Sequence, residues 1–255
     1  MIMKKFAALT IAAFMAIASY AQVDSAASIT NLPEPTPRKR MNPINLNNRA
    51  NDHFMIQLSS DGWANKTDTM KLKGLSRGFN IYVMYDMPFK TAPNFSVALG
   101  VGFSTSNIYF DETYIDIAGR TKTQLDFADV SDTTHYKKYK LLTSYLEAPL
   151  ELRYLFNPEN SNKSWKIAVG VKIGTLLAAS TKGKIVENAN DQATLTIVQK
   201  EKSKRFFNGT RLAGTVRVGY GNFGLFGAYQ LNNFIKEGFG PNIRPYQIGM
   251  TISGL

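Results

Sequence analysis

The chain has no cysteine, which excludes disulfides, thiolate metal centres and the lipid-bearing cysteine that tethers bacterial lipoproteins. With only two histidines, His53 and His135, a histidine-rich metal site is excluded too. The formal charge of +11 comes without any zinc-finger, RNP-like or helix-turn-helix pattern, so the basic excess does not mark a nucleic-acid partner. Long apolar runs are scarce. Past the N-terminus no stretch approaches the roughly 20 apolar residues that a membrane-spanning helix needs. No residue pattern calls for a cofactor.

What is present begins with an export signal. Residues 1–5 are short and basic, residues 6–17 are apolar, and Ser19-Tyr20-Ala21 is a small-x-small cleavage site before Gln22. This predicts a secretory signal peptide over residues 1–21, cleaved after Ala21. Residues 22–51 place Pro33, Pro35, Pro37 and Pro43 around Arg38-Lys39-Arg40 with no apolar period, which predicts a flexible periplasmic tether. An exported chain without a spanning helix is periplasmic, secreted or an outer-membrane barrel.

The choice turns on residues 94–105, NFSVALGVGFST. Side chains alternate along a strand with period two. Phe95, Val97, Leu99, Val101 and Phe103 share one face, and Ser96, Ala98, Gly100, Gly102 and Ser104 share the other. A soluble sheet would carry charged residues on its wet face. Here that face is nearly bare, as suits the inside of a narrow closed barrel.

Seven further segments alternate in the same way. They lie at about residues 53–60, 77–89, 145–156, 165–174, 211–220, 222–231 and 246–253. Their connections alternate long and short: 61–76, 90–93, 111–138, 157–163, 177–209, Gly221-Asn222 and 231–244. Outer-membrane barrels show this asymmetry, with short periplasmic turns and long outer loops. Apolar-face aromatics beside the short turns (Tyr85, Phe89, Phe95, Tyr154, Phe156, Trp165, Tyr220 and Phe223) predict an interfacial girdle. Phe79, Phe103, Tyr229 and Tyr246 would mark the opposite rim. The fold class is therefore all-β: an eight-stranded antiparallel up-and-down transmembrane β-barrel over residues 52–255.

Eight strands enclose a space just wide enough for side chains. The alternation sends Asp86, Glu151, Arg153, Lys166 and Arg217 into a lower lumen layer, with Glu147, Lys172 and Arg211 about two pairs higher. Both layers mix signs, as buried charges must if they are to be paired. The expectation is a structural, salt-bridged plug.

Candidate catalytic residues are few. His135 follows Ser131 and Asp132 in a long loop, and His53 sits near the periplasmic rim, but no positioned nucleophile accompanies either. Asp111, Glu112, Asp116, Asp126, Asp129 and Asp132 lack the spacing of an EF-hand loop. The third long loop is basic, with Lys182, Lys184, Lys200, Lys202, Lys204 and Arg205. Outside a Gram-negative cell such a loop faces lipopolysaccharide phosphates, although simple solvation explains the charges equally well. Within it residues 193–198 (ATLTIV) alternate, which predicts that the fifth and sixth barrel strands protrude above the membrane as a hairpin whose edge is open to a partner strand.

The glycine-studded third strand, the run Tyr145-Leu146-Glu147-Ala148-Pro149-Leu150-Glu151-Leu152-Arg153-Tyr154 and the ending Tyr246-Gln247-Ile248-Gly249-Met250 together resemble a known group. It is the outer-membrane β-barrel family of Bacteroidota called PorT-like or OmpX-like. In such families a strand Leu-Glu-x-Pro-Leu-x-x-x-Tyr precedes a short turn, and Leu146 through Tyr154 match it. The resemblance spans roughly residues 54–255 and implies a place in the outer membrane. One branch assists the type IX secretion machinery and most others are uncharacterised, so the resemblance leaves an envelope or secretion-machinery protein open as a partner without implying secretion work. The triplets at residues 24–26, 68–70 and 132–134 also resemble the O-glycosylation signal of that phylum.

The resulting expectation is an outer-membrane barrel with a structural or partner-binding role and no catalysis, in contact with outer-membrane lipid and lipopolysaccharide. Two other readings stand beside it. A barrel enzyme acting on envelope lipids needs a convergent histidine with an acid or serine. A soluble periplasmic barrel binding an apolar ligand needs the bulky faces turned inward.

Overall fold

A computed structural model describes residues 53–67, 70–119, 123–130, 136–189 and 193–254. The expected signal peptide, the expected tether with Arg38-Lys39-Arg40, and Ser131, Asp132 and His135 lie outside the described residues, as do residues 24–26, 68–69 and 132–134 of the three triplets.

The strands are β1 (Phe54–Ala64), β2 (Arg77–Pro88), β3 (Phe95–Phe110), β4 (Thr113–Ile115), β5 (Phe127–Asp129), β6 (Tyr136–Leu155), β7 (Trp165–Ala189), β8 (Ala193–Lys202), β9 (Thr210–Tyr220), β10 (Phe223–Gln230) and β11 (Arg244–Ser253). Eight of them form a ring in the order β1-β2-β3-β6-β7-β9-β10-β11, and every neighbouring pair is antiparallel. The seam joins first strand to last, with Met55 opposite Ser253 and Ala64 opposite Arg244. Closure pairs every strand edge in the ring, as a bilayer requires where no water can satisfy free backbone groups.

The inside–outside parity follows the alternation. Gln57, Asn80, Tyr82, Ser96, Ala98, Ser104, Glu147 and Lys172 are buried, while their chain neighbours Leu58, Ile81, Val83, Val97, Leu99, Phe103, Leu146 and Val171 face outward. Met250 on β11 and Phe223 on β10 are 68% and 70% exposed. Such exposure of large apolar side chains around a whole sheet has no aqueous explanation. The bulky faces therefore point outward, opposite to what a soluble apolar-ligand barrel needs.

Three connections at one rim are short, and His53 and Gly254 lie at that same end, next to the β1–β11 seam. The tightest is Gly221-Asn222, where Gly221 takes φ +58°, a conformation that glycine adopts without steric cost. The predicted girdle lines this rim: Phe95 packs on Tyr154 at 4.8 Å, Tyr154 on Phe156 at 5.1 Å, and Trp165 on Tyr220 at 5.6 Å.

The other end departs from the expected set of loops. A transmembrane strand needs only about 9–11 residues. Yet β3, β6 and β7 have 16, 20 and 25 residues. They rise past the ring and are joined there by β8, which pairs with the upper part of β7 from Ser180↔Lys202 to Ala189↔Ala193. Lys200 and Lys202, read from the sequence as loop residues, therefore stand on a strand. The expected hairpin is real, but its second arm is β8 and not the following barrel strand. Asp61, expected in the first long loop, instead belongs to β1, which runs four residues further than the sequence suggested.

The outer connections also fold into a core of their own. Trp63, Met70, Ile108, Phe110, Ile115, Ile117, Leu125, Phe127, Tyr139, Leu141, Phe206, Phe207, Phe234, Ile235 and Ile243 are buried together above the lumen. Trp63 carries the inward parity of β1 upward into this cluster, with its ring 5.3 Å from Phe110, 6.1 Å from Phe127 and 5.7 Å from Phe234. Burying side chains of this size contributes about 1.5–3 kcal/mol each. That is ample reason for the connections to pack and not wave in solvent.

Candidate functional site

Two polar constellations stand out: the filled lumen and the basic outer sheet. In the lumen the side chains of Asp86, Glu147, Glu151, Arg153, Lys166, Lys172, Arg211 and Arg217 are buried, at two heights. In the lower one Glu151 accepts from Arg217 Nη2 at 2.8 Å and from Arg153 Nε at 2.9 Å, while Arg153 Nη1 lies 3.6 Å from Asp86. Ser96 donates to Asp86 at 2.7 Å, and Lys166 is buried in the same layer.

The upper layer centres on Glu147. Arg211 Nη1 approaches its Oε1 at 3.0 Å and Lys172 Nζ its Oε2 at 3.4 Å, while the Tyr82 hydroxyl donates to that same Oε2 at 2.6 Å. Lys172 also donates to Tyr82 Oη at 3.2 Å. The Arg211 guanidinium stacks 5.1 Å from the Tyr145 ring centre.

The sequence reading missed a third tier. Asp61 accepts from Ser59 at 2.5 Å, from Gln247 at 3.0 Å and from Ser106. Asn80 links Gln57, Gln247 and Ser104 below it. The inward parity of Ser59 already pointed to Asp61, had the first strand been extended by one residue. By sign the lumen sets Asp61, Asp86, Glu147 and Glu151 against Arg153, Lys166, Lys172, Arg211 and Arg217, four carboxylates to five cations. Small residues make room for these groups. A Cβ on Gly102 would run into Ile81 O and Tyr82, and one on Gly170 into Leu150 O.

No catalytic geometry involves His53, the one histidine among the described residues. Its Nδ1 faces the Met84 carbonyl at 3.2 Å, at the periplasmic end. The carboxylates of the second outer connection are engaged in part: Lys71 meets Asp129 at 3.1 Å and Glu112 at 3.5 Å, and Lys73 meets Asp111 at 2.8 Å. The hydrogen bond to Asp129 is the main reason that the Lys71 ammonium is held above its usual pKa, as the bond to Asp111 is for Lys73.

The basic residues expected in the third long loop are divided. Lys200 and Lys202 are exposed on β8. Lys204 and Arg205 lie in the turn that follows, where Arg205 donates to Gly119 O at 3.4 Å and covers the Phe206 ring at 5.3 Å. The cross-strand register gives Lys200 and Lys202 different companions. Lys200 faces Lys182, which faces Lys140, and Lys184 faces Lys138.

A bulge produces that register. Between Ser144↔Ala178 and Tyr145↔Leu176 the ladder skips Leu177. Below it the even-numbered Lys166 and Lys172 of β7 point into the lumen. Above it the odd-numbered Ala179 and Thr181 point inward, so Lys182 turns outward.

The family comparison agrees with this architecture. The profile of the family "outer membrane protein beta-barrel domain" matches residues 44–252. No curated protein matches the chain. Among solved structures, Ail, the attachment invasion locus protein of Yersinia pestis, aligns in complex with the heparin analogue sucrose octasulfate. That alignment has 12% identity and a TM-score of 0.34, over 78% of this chain and 95% of the other. A second Ail structure aligns with 14% identity and a TM-score of 0.33 over the same shares.

Proposed function

Because the chain belongs to the outer membrane protein beta-barrel domain family, we propose that it serves the outer membrane as a closed, non-catalytic scaffold whose work is done at its outer surface. One observation carries the reading: the lumen is crossed by paired charges at two levels, by the Asp61 tier above them, and by an apolar core over its outer mouth. Stacked obstructions of this kind suit a rigid post, not a pore. In this reading the lumen ions stiffen the wall. Breaking a buried pair costs about 3–5 kcal/mol, so any sideways movement of one strand is resisted by its neighbours.

The remaining parts of the proposal follow the export route. The signal peptide is removed after Ala21, residues 22–51 tether the barrel on the periplasmic side, and the basic outer residues meet lipopolysaccharide. The barrel holds a protein partner of the cell envelope, with an accessory role in a PorT-like secretion apparatus as the specific form suggested by the strand motif of Leu146 to Tyr154.

Planar-bilayer recording of the purified protein tests the closed scaffold, which should give no stable conductance of porin size. Such a conductance would overturn it. Lipid A from wild-type and deletion strains should be identical, and a changed lipid A would install an enzyme in place of the scaffold. Crosslinking in native outer membranes, followed by pull-down, identifies the protein partner.

A further inference from the structure

The upper parts of β6, β7 and β8 form a three-stranded sheet with an unusual outward face. Directly paired residues of an antiparallel sheet lie on the same side, and so do residues two apart on one strand. One row across the sheet is therefore Lys140–Lys182–Lys200. The next row outward begins Lys138–Lys184, and the row below ends in Lys202 opposite Ser180. Six lysines from three strands share one face. Lys138, Lys182, Lys200 and Lys202 are exposed, and Lys140 and Lys184 are half-buried.

Like charges directly opposite one another destabilise a sheet. Here Lys182 faces Lys140 on one side and Lys200 on the other. Lys140 finds relief within the chain, donating to Asn107 at 2.8 Å and covering the Tyr109 ring at 5.6 Å. Lys138, Lys182, Lys184, Lys200 and Lys202 have no ion pair among the described residues. The one nearby carboxylate on β8, Glu201, is buried on the opposite side of the sheet. Such a face is built for an external polyanion.

Its position says which one. The lysine face continues, on the same strands, the surface that faces lipid lower down. Leu146 of β6 and Ile173 and Leu177 of β7 are exposed on it. Lys182 follows Leu177 by five residues, roughly 16 Å along a strand at about 3.3 Å per residue. Because barrel strands tilt by roughly 40°, the rise above the apolar band is smaller still. That is the level of the headgroups beside the barrel wall, not of the solvent above the cap. We infer that the outward face of the β6–β7–β8 sheet, through Lys138, Lys140, Lys182, Lys184, Lys200 and Lys202, clamps the phosphate-bearing headgroup of a lipopolysaccharide molecule in the same outer leaflet. Lys204 and Arg205 stand outside this site. The inference rests on the outer-membrane reading above.

The test uses the full mature protein, refolded in phosphatidylcholine nanodiscs, with labelled lipopolysaccharide as probe. Each lysine near an anionic headgroup is worth about fivefold in affinity. With screening, replacing four should weaken binding roughly a hundredfold. The variant K138Q/K140Q/K182Q/K200Q should show that loss, and its all-arginine counterpart should bind within about threefold of wild type. Wild type should bind phosphate-stripped lipopolysaccharide as weakly as the glutamine variant binds the intact form. K90Q/K163Q, at the other rim, should bind normally. The smaller K182Q/K200Q pair, expected to lose about tenfold, decides the matter if the quadruple variant does not fold.

Unchanged binding in the glutamine variants would overturn the inference. So would an equal loss in K90Q/K163Q, or a soluble sulfated polysaccharide bound by this face when lipopolysaccharide is not. Heat-modifiable gel mobility and bilayer recording report on the closed barrel separately, so failure of the lysine site leaves that reading standing, and the converse is equally visible.

Discussion

Tyr82 of β2 donates its hydroxyl to Glu147 of β6 at 2.6 Å, joining two strands that are not neighbours in the ring. The bond spans the lumen above β3, and the same carboxylate oxygen lies 3.4 Å from Lys172. Glu147 is thus the single acceptor on which Tyr82, Lys172 and Arg211 converge.

Replacing Glu147 with Gln should therefore strand two buried cations. The expected loss is about 3–5 kcal/mol, read as a lower urea midpoint for the heat-modifiable folded band. Tyr82→Phe removes two hydrogen bonds to charged groups, one given to Glu147 and one received from Lys172, each worth about 1.5–3 kcal/mol. A Glu147→Gln midpoint equal to wild type would show that the layer contributes no stability.

Gly100 tests the packing of the bare face. A Cβ there would collide with Met84 Sδ and with the Val83 carbonyl, 2.6 Å away. Gly100→Leu should impair refolding in detergent more than Leu99→Ala, because overpacking shifts backbone while the lipid-facing truncation is filled by acyl chains. Equal refolding yields would contradict the inside–outside assignment.

Deleting Leu177 should make the β6–β7 ladder regular without exchanging the faces of upper β7. The ladder already skips this residue, so Leu176 would still meet Tyr145, Ala178 would still meet Ser144, and Lys182 would stay outward. The pairing of Trp165 to Thr175 with β9 lies below the deletion and should persist. Heat-modifiability and the protease resistance of the outer segments are both expected to survive. A sharp rise in cleavage of the outer segments would mean that the cap needs the bend of the bulge and not the register alone.

Trp63→Ala should empty the centre of the outer core at a cost of about 3–5 kcal/mol. Limited proteolysis from the outside should then cut the connections faster, with the barrel below still heat-modifiable. Unchanged cleavage would show that the cap does not depend on Trp63.

The barrel itself was legible because one physical rule, period-two alternation with lipid on one side, repeats in eight places. The same parity runs through the charged positions, where Glu147, Glu151 and Lys172 are buried between exposed Leu146, Leu150, Leu152, Val171 and Ile173. The cap was not legible for the opposite reason. Met70, Ile115, Leu125, Phe206 and Ile243 follow no period, and each is buried by residues from other connections, which no window of sequence contains. The bulge at Leu177 hides in Leu176-Leu177-Ala178-Ala179, where either parity leaves an apolar or small residue on both faces. The lysine face was missed with it: Lys138 closes the long connection 111–138, Lys140 lies just past it, and only the register shows them beside Lys184 and Lys182.

The seam between β1 and β11 sets the order of events in assembly. Phe54 O receives its bond from Gly254 N at 3.2 Å, and Met55 waits for Ser253. Every other adjacency in the ring can form as the strands arrive, but this one joins the earliest barrel strand to the last. Until the final ten residues are in place, β1 offers the periplasm an unpaired edge. Cellular machinery must hold that edge apart from other edges, so a chain stalled before residue 244 is a substrate for degradation or aggregation and never a smaller barrel.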